Sequence, residues 1–224
     1  MNAVPILYFS DILCVWAHIS QLRIDALRRT FGHQVHLDRR FCDVFGDTAG
    51  KIASVWGAKG GYGGFNAHLR HIAGQFPEIT LNPDVWLTVR PASSLSTHVF
   101  LKAVQLTEAT GAGGDDDLDR ATRALRKAFF EQARDISRQD VCRDVAESLG
   151  LDVGRIEARI QDGAAFAAMA ADLRQAGALG VQGSPSFVLN EGRQKLYGNL
   201  GFRVIEANIR EMLRAPSPEE ASWC

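Results

Sequence analysis

The hydrophobic pattern at the start of the chain changes its period twice within about forty residues. Residues 4–9 form an apolar run that is typical of a buried strand. From residue 19 to residue 31 apolar side chains return every three or four positions, which predicts an amphipathic helix ending at Gly32. Residues 35–42 then alternate between better and less buried types, which predicts a second strand. A strand, a helix and a strand at this spacing predict a βαβ unit with a parallel sheet.

The middle of the chain shows the helical period and little else. The predicted helices lie near residues 65–76, 91–110, 118–135, 139–149 and 153–178, and the last is interrupted near residue 163. The glycines at 57–64 predict a flexible loop. A phosphate-binding loop is disfavoured, because the run does not follow a strand and lacks the Lys-Ser/Thr ending.

Strand signals return after residue 180. Residues 186–190 and 193–198 flank a turn at Glu191-Gly192, which predicts a β-hairpin. Residues 202–214 form a last amphipathic helix, and a polar tail follows.

Composition and charge are those of an ordinary globular protein and argue against nucleic-acid-binding and membrane-spanning proteins. The chain has 224 residues, 46% hydrophobic residues and a formal net charge of −1, as an ordinary globular protein does. The absence of a long basic cluster argues against nucleic acid as a partner. No apolar run approaches the roughly 18 residues that a membrane-spanning helix needs. The N-terminus shows no leader segment, so we expect a cytoplasmic protein.

The four cysteines, at positions 14, 42, 142 and 224, have no short spacing between them. This spacing argues against a zinc cluster and a dense disulfide framework, so we expect reduced thiols and no bound metal. Cys142 falls in a helical pattern and is expected to be buried and inert. Cys224 is expected to be an exposed bystander.

Cys14 occupies the most informative position, where the first strand turns into a helix. Backbone N–H groups and the helix dipole at such a place favour a thiolate, so we predict a lowered pKa for this thiol. Position 17, where a dithiol enzyme has its second cysteine, holds Ala17. His18, one helical turn beyond Cys14, could add charge stabilisation or point into the helical block.

Two motifs far apart in the chain resemble those of one family. Residues 10–19, Ser-Asp-Ile-Leu-Cys-Val-Trp-Ala-His-Ile, resemble the active-site segment of the DsbA-like family, in particular its FrnE-like cytoplasmic branch, where a Ser-Asp pair precedes Cys-Pro-Trp-Cys. Residues 180–188, Gly-Val-Gln-Gly-Ser-Pro-Ser-Phe-Val, resemble its cis-proline loop, Gly-Val-x-Gly-Val-Pro-Thr-Phe. Kappa-class glutathione transferases and hydroxychromene-carboxylate isomerases resemble the same split fold.

The resemblance implies an α/β protein with a thioredoxin-like fold interrupted by an all-helical insertion. The expected divisions are residues 1–43 with 179–214 as a discontinuous thioredoxin-like domain, 44–178 as the helical insertion domain, and 215–224 as a flexible tail. A homodimer is left open.

The departures from the family define the expected chemistry. With Ala17 in place of a second cysteine, attack on a disulfide leaves a mixed disulfide that only another thiol can resolve. Our leading hypothesis is therefore a DsbA-like thiol–disulfide oxidoreductase that acts as a monothiol through Cys14, on a thiol- or disulfide-containing peptide or small molecule. Glutathione is the expected resolving co-substrate. Cys42, at the end of the second strand, is an internal candidate for the resolving thiol, or an ordinary core residue.

The remaining predicted site residues surround glutathione or substrate. If Pro185 is cis, as the resemblance implies, Ser184 offers its backbone to an extended peptide or to glutathione. The Ser184 hydroxyl could also supply Cys14 with the hydrogen bond that a second thiol would have given. Trp16 and His18 complete the predicted binding residues.

Two other classes of function stay open. In a glutathione-dependent transferase or isomerase of the kappa-class type, Cys14 would orient glutathione instead of exchanging with a disulfide. In a redox-inactive thioredoxin-fold binding protein, Trp16, Trp56, Trp86 and the 57–64 segment would line a groove.

Overall fold

The computed structural model describes residues 3–111, 113–114 and 116–214. Its four strands form one sheet in the order β2-β1-β3-β4. The strands are β1 Val4–Ser10, β2 Val35–Phe41, β3 Ser186–Leu189 and β4 Gln194–Tyr197. β1 runs parallel to β2, and β3 runs antiparallel to both β1 and β4. The predicted βαβ unit and the predicted hairpin are both confirmed.

Ten α-helices make up most of the rest of the described chain. They are α1 Val15–Ile19, α2 Gln21–Phe31, α3 Thr48–Trp56, α4 Gly61–Ala73, α5 Leu95–Ala109, α6 Asp117–Phe130, α7 Gln139–Ser148, α8 Val153–Gln161, α9 Ala164–Ala178 and α10 Phe202–Arg214. Because α3 to α9 lie between β2 and β3 in sequence, the predicted α/β fold with a helical insertion is confirmed.

The glycine-rich segment is helical, so the prediction of a flexible loop at 57–64 is wrong. A 3₁₀ turn covers Gly57–Lys59, and α4 begins at Gly61. Gly60 adopts φ +89°, a left-handed conformation that connects the two helices tightly. A Cβ on Gly64 would overlap the carbonyl oxygen of Lys59. Here glycine permits a close helix-to-helix turn.

The sheet is covered on both faces. Tyr8 on one face packs with Ile24 of α2 and Ile205 of α10. Phe9 on the other face belongs to a cluster with Ala176 of α9. The residues that follow β1, from Ile12 to Ile19, pack into the core of the inserted helices. The β1–α1 turn therefore lies where the sheet meets the helical block.

A buried carboxylate attaches the helical block to the sheet. Asp172 of α9 has no exposed surface and accepts a hydrogen bond from the backbone N–H of Phe41, at 2.9 Å. The ammonium of Lys102 lies 3.0 Å from one Asp172 oxygen, and the guanidinium of Arg40 lies 3.1 Å from the other. Three elements, β2, α5 and α9, are thereby joined at one side chain.

Within the described residues, no helix has both the length and the apolar character that are needed to cross a membrane.

Candidate active site

Cys14 lies at the predicted junction between strand and helix. β1 ends at Ser10, and Cys14 is the N-cap residue of α1 with φ −82° and ψ 118°. Its backbone N–H donates to the carbonyl of Asp11 at 3.2 Å, which closes a tight turn. The residue is 6% exposed, so only a small part of it reaches solvent.

The loop before β3 brings Ser184 and Pro185 to this turn. The Ser184–Pro185 peptide bond is cis. The thiol of Cys14 donates a hydrogen bond to the carbonyl oxygen of Ser184, at 3.2 Å. The hydroxyl of Ser184 accepts a hydrogen bond from the backbone N–H of Asp11, at 2.8 Å. Residues 170 positions apart in sequence therefore meet at the thiol.

Burial controls the ionisation of Cys14. Removal from water raises the pKa of the Cys14 thiol above its ordinary value, and the nearby carboxylate of Asp11 acts in the same direction. Hydrogen bonds from the Ser184 hydroxyl and from the N–H groups of Ala17 and Trp16 oppose this rise without cancelling it. The prediction of a lowered pKa is therefore wrong, because burial destabilises the thiolate more than these hydrogen bonds stabilise it.

Asp11 holds the turn together, and the sequence analysis did not select it. Its carboxylate is fully buried. Oδ1 accepts from the N–H of Leu13 at 2.9 Å. Oδ2 accepts from the N–H groups of Val44 and Phe45, at 3.0 and 2.8 Å, and from the hydroxyl of Ser94 at 2.8 Å. The Ser-Asp pair was visible in the motif, but no spacing signal connects it to residues 44, 45 and 94.

His98 of α5 is a second residue that the sequence analysis missed. It is fully buried, and its Nε2 accepts a hydrogen bond from the N–H of Ile12 at 3.0 Å. Its ring stacks on Phe41 with the centroids 4.7 Å apart. Burial lowers the pKa of His98, although Asp11 opposes this shift. A neutral imidazole that accepts through Nε2 carries its proton on Nδ1. Nothing in the helical pattern around His98 distinguishes it from a core residue.

Cys42 approaches the same loop as Cys14. Its thiol lies 3.9 Å from the carbonyl oxygen of Gly183, the residue before Ser184. It is buried in the cluster of Phe9 and Val188, and burial raises its pKa strongly. Both cysteines are free thiols in the structure. A resolving role for Cys42 stays a prediction.

His18 and Trp16 face the helical block. The His18 ring stacks on Phe130 with the centroids 4.8 Å apart, and burial lowers its pKa to about 4. A neutral His18 gives no support to a charge that stabilises a thiolate at Cys14. Trp16 packs edge to face against Phe76 with the centroids 6.4 Å apart. The structure therefore brings Cys14, Ser184 and Pro185 together, but directs His18 elsewhere.

Cys142 and Trp86 are both buried in the hydrophobic core. Cys142 is buried, as predicted, and burial raises its pKa to about 12. Cys224 and the predicted tail at 215–224 lie outside the described residues. Trp86 is fully buried against Phe129, so the prediction that it lines a groove is wrong. Across residues 3–214 as far as they are described, no three His, Cys, Asp or Glu side chains group as metal ligands would.

Comparison with protein families matches residues 5–210 to the model described as a DSBA-like thioredoxin domain. Among curated proteins, no sequence matches the chain. This family match confirms the DsbA-like resemblance and the thioredoxin-like fold, whereas the FrnE-like branch stays a prediction.

Three solved structures illustrate the shared fold. A "probable DsbA oxidoreductase" from Streptomyces coelicolor has a TM-score of 0.73 and 19% identity, covering 96% of this chain and 92% of its own. The cytosolic disulfide reductase DsbM from Pseudomonas aeruginosa has a TM-score of 0.67 and 19% identity, covering 95% and 100%. The 2-hydroxychromene-2-carboxylate isomerase has a TM-score of 0.64 and 16% identity, covering 94% and 96%.

Proposed function

Because this chain belongs to the DSBA-like thioredoxin domain family, we propose that it is a thiol–disulfide oxidoreductase whose nucleophile is the single thiol of Cys14. One observation carries the proposal: Cys14 lies at the β1–α1 turn with its Sγ 3.2 Å from the carbonyl oxygen of Ser184. A cysteine at this turn and the loop before a cis-proline are brought together from opposite ends of the chain. Position 17 holds alanine, so the enzyme acts as a monothiol.

The proposed reaction uses three thiol–disulfide exchanges. Cys14 loses its proton to solvent, and its sulfur attacks one sulfur of a substrate disulfide. The substrate S–S bond breaks, one sulfur leaves as a thiolate, and the other is joined to Cys14. A glutathione thiolate attacks the Cys14 sulfur and releases the second substrate thiolate. A second glutathione thiolate attacks the glutathione sulfur that is now bound to Cys14. Glutathione disulfide forms, and Cys14 leaves as a thiolate. The two glutathione molecules thus supply the two electrons.

The ionisation of Cys14 sets the expected rate of this reaction. Since burial raises its pKa, only a small fraction of Cys14 is thiolate at neutral pH. We therefore expect slow exchange that accelerates with pH. The Ser184 hydroxyl opposes the effect of burial, because its hydrogen bond stabilises the Cys14 thiolate and lowers the pKa of Cys14.

Glutathione is the proposed resolving partner, and the cytoplasm is the proposed compartment. A reducing compartment suits a chain with free thiols at Cys14, Cys42 and Cys142. One of the solved structures similar in fold is DsbM with GSH, a cytosolic protein, with a TM-score of 0.65 and 20% identity. The backbone of Ser184 next to Pro185 is the edge to which we expect glutathione to bind. Trp16, two residues after Cys14, is a further proposed binding residue.

A glutathione-dependent transferase or isomerase is the second candidate, and the protonated state of Cys14 favours it. A buried thiol that donates a hydrogen bond can orient the glutathione sulfur without forming a disulfide. The similarity in fold to 2-hydroxychromene-2-carboxylate isomerase is compatible with such a use of the site.

The first experiment exposes the native protein to glutathione disulfide and locates adducts by peptide mass spectrometry. Exchange chemistry predicts an adduct on Cys14 that is missing from Cys14→Ala. Buried Cys142, with its pKa raised to about 12, serves as the internal control that stays unmodified. A Cys14–Cys42 bridge after the adduct, absent from Cys42→Ala, would identify Cys42 as the resolving thiol. No adduct on Cys14 in native protein, under conditions that modify it after unfolding, would overturn the oxidoreductase proposal.

The Cys14→Ser variant separates the classes of function. Reduction of bis(2-hydroxyethyl) disulfide by glutathione should be lost in this variant if Cys14 is the exchanging sulfur. Glutathione-dependent isomerase or transferase activity should partly survive, since a hydroxyl can still donate to the glutathione sulfur. Turnover by neither protein, together with glutathione binding by both, would indicate a redox-inactive binding protein.

A further inference from the structure

A buried arginine without an acidic partner lies behind α1. Arg126 of α6 is 1% exposed. Its Nη2 donates a hydrogen bond to the Ser10 hydroxyl at 3.1 Å, whereas Nε and Nη1 have no partner among the described residues. A guanidinium keeps its charge at physiological pH, and burying it without a counter-charge is costly. A negatively charged hydrogen-bond acceptor would therefore stabilise the unpaired N–H groups of Arg126.

Arg126 lines a cavity of about 220 Å³ between α6 and the α1–α2 segment. The polar residues of this cavity are His18, Gln21, Arg123, Arg126, Lys127 and Glu131. The Nε2 atom of His18 is likewise buried without a partner in the described part of the chain. Two residues that line this cavity, one in α1 and one in α6, thus each have at least one buried nitrogen without a partner among the described residues.

The other charges of the cavity are already balanced within the protein. Arg123 forms ion pairs with Asp25 and with Asp119. The Lys127 ammonium lies 3.9 Å from a carboxylate oxygen of Glu131, and the Lys127 side chain is 60% exposed at the rim. The charge of Arg126 is the one in this cavity that the described residues leave uncompensated. The cavity therefore favours an anion over a neutral or cationic ligand.

We propose that this cavity binds a small oxyanion, such as the carboxylate or phosphoryl group of a small molecule. Its oxygens would accept hydrogen bonds from Nε and Nη1 of Arg126 and from Nε2–H of His18. The Lys127 ammonium at the rim would add attraction. Cys14 is not among the residues that line this cavity, so the proposal does not rest on the oxidoreductase function.

The test compares sulfate, inorganic phosphate and acetate with chloride at equal ionic strength, by calorimetric titration and thermal unfolding of the whole protein. We expect saturable binding of one oxyanion per chain and a higher Tm than in chloride. Arg126→Met should lose the binding, while its Tm in chloride stays equal to or above that of the wild type, because the uncompensated buried charge is gone. Preference for acetate would identify a carboxylate ligand, and preference for sulfate or phosphate a tetrahedral one.

Two exposed lysines provide a second arm that does not disturb the core. Lys127→Gln should weaken oxyanion binding about threefold by removing the exposed rim charge. Lys59→Gln, the matched change on an exposed lysine outside the cavity, should leave it unchanged. Equal stabilisation of the wild type and Arg126→Met by sulfate would overturn the proposal, since it would show only a general salt effect. Equal binding by the wild type and Lys127→Gln would also contradict the proposed site.

Discussion

The carboxylate of Asp11 is the side chain on which the assembly of the site depends. It receives four hydrogen bonds, from the β1–α1 turn, from the segment after β2 and from the start of α5. Asp11→Asn should therefore lower the free energy of unfolding by about 3 kcal/mol, because an amide replaces a charged acceptor and its NH₂ faces N–H donors. Urea denaturation measures the loss. The exposed Asp84→Asn is the matched control and should change stability little.

The pKa of Cys14 gives a second prediction at the residue scale. Peptide-resolved alkylation by iodoacetamide should accelerate with pH and show an apparent pKa above that of an ordinary cysteine, since burial raises it. Ser184→Ala should move the profile to still higher pH by removing a hydrogen bond to the thiolate. Ser186→Ala, which removes a hydroxyl that donates to Gly183, is the control and should leave the profile in place.

The same ionisation affects stability in a defined direction. The folded protein holds the Cys14 proton more tightly than the unfolded chain does. The stability that this group contributes is therefore complete below the pKa of the unfolded cysteine, and it is lost as the pH rises toward the folded pKa. An alkylation profile centred below the ordinary cysteine value would contradict both statements.

Sequence reasoning located the thiol but not its electrostatic surroundings. The change of period after residue 9 was enough to place Cys14 at a strand–helix junction, because local patterning determines that turn. The sequence could not predict how deeply Cys14 is buried, because the burial of a turn depends on what packs over it, here α5 and the 183–185 loop. His98 and Asp11 were missed for the same reason, as their partners lie far away in sequence.

At the scale of elements, two adjacent glycines in α4 give a matched pair of substitutions. Gly64→Ala should destabilise the protein by about 2 kcal/mol or more, since its Cβ would overlap the Lys59 carbonyl oxygen. Gly63→Ala meets nothing within 4 Å and should be neutral or stabilising by up to about 1 kcal/mol, because alanine favours a helix. Thermal and urea denaturation of both variants check the prediction. Equal effects would mean that the α3–α4 turn is not held tightly.

The helices themselves were mostly predictable, but the sequence analysis predicted neither α3 nor the helical state of the glycine-rich stretch after it. The periodic segments later seen as α7 and α10 each bury one face, so their apolar residues recur at the helical period. The stretch at 57–64 has no such signal, because glycine contributes neither a hydrophobic stripe nor a helix preference. Its helical state comes from the packing of α3 against α4.

At the scale of the whole molecule, we propose that the predicted domains, residues 1–43 with 179–214 and residues 44–178, unfold together. The β1–α1 turn lies in the core of the inserted helices, and Asp172 joins α9 and α5 to β2. Tryptophan fluorescence, which reports mainly on α1 and the inserted helices, should follow the same urea transition as far-UV circular dichroism. Two separated transitions would show that the inserted helices are an independent unit.

The loop before β3 receives a hydrogen bond from each of two thiols, at the consecutive carbonyls of Gly183 and Ser184. Conversion of either thiol to a disulfide removes that donor. The Ser184 carbonyl then loses the hydrogen bond from Cys14, whereas the Gly183 carbonyl keeps the one from the Ser186 hydroxyl, at 2.8 Å. Oxidation of Cys14 or of Cys42 therefore changes the hydrogen bonding of the backbone in this loop. Amide resonances of Gly183, Ser184 and Ser186 should consequently report the redox state, with distinguishable shifts for modification at Cys14 and at Cys42.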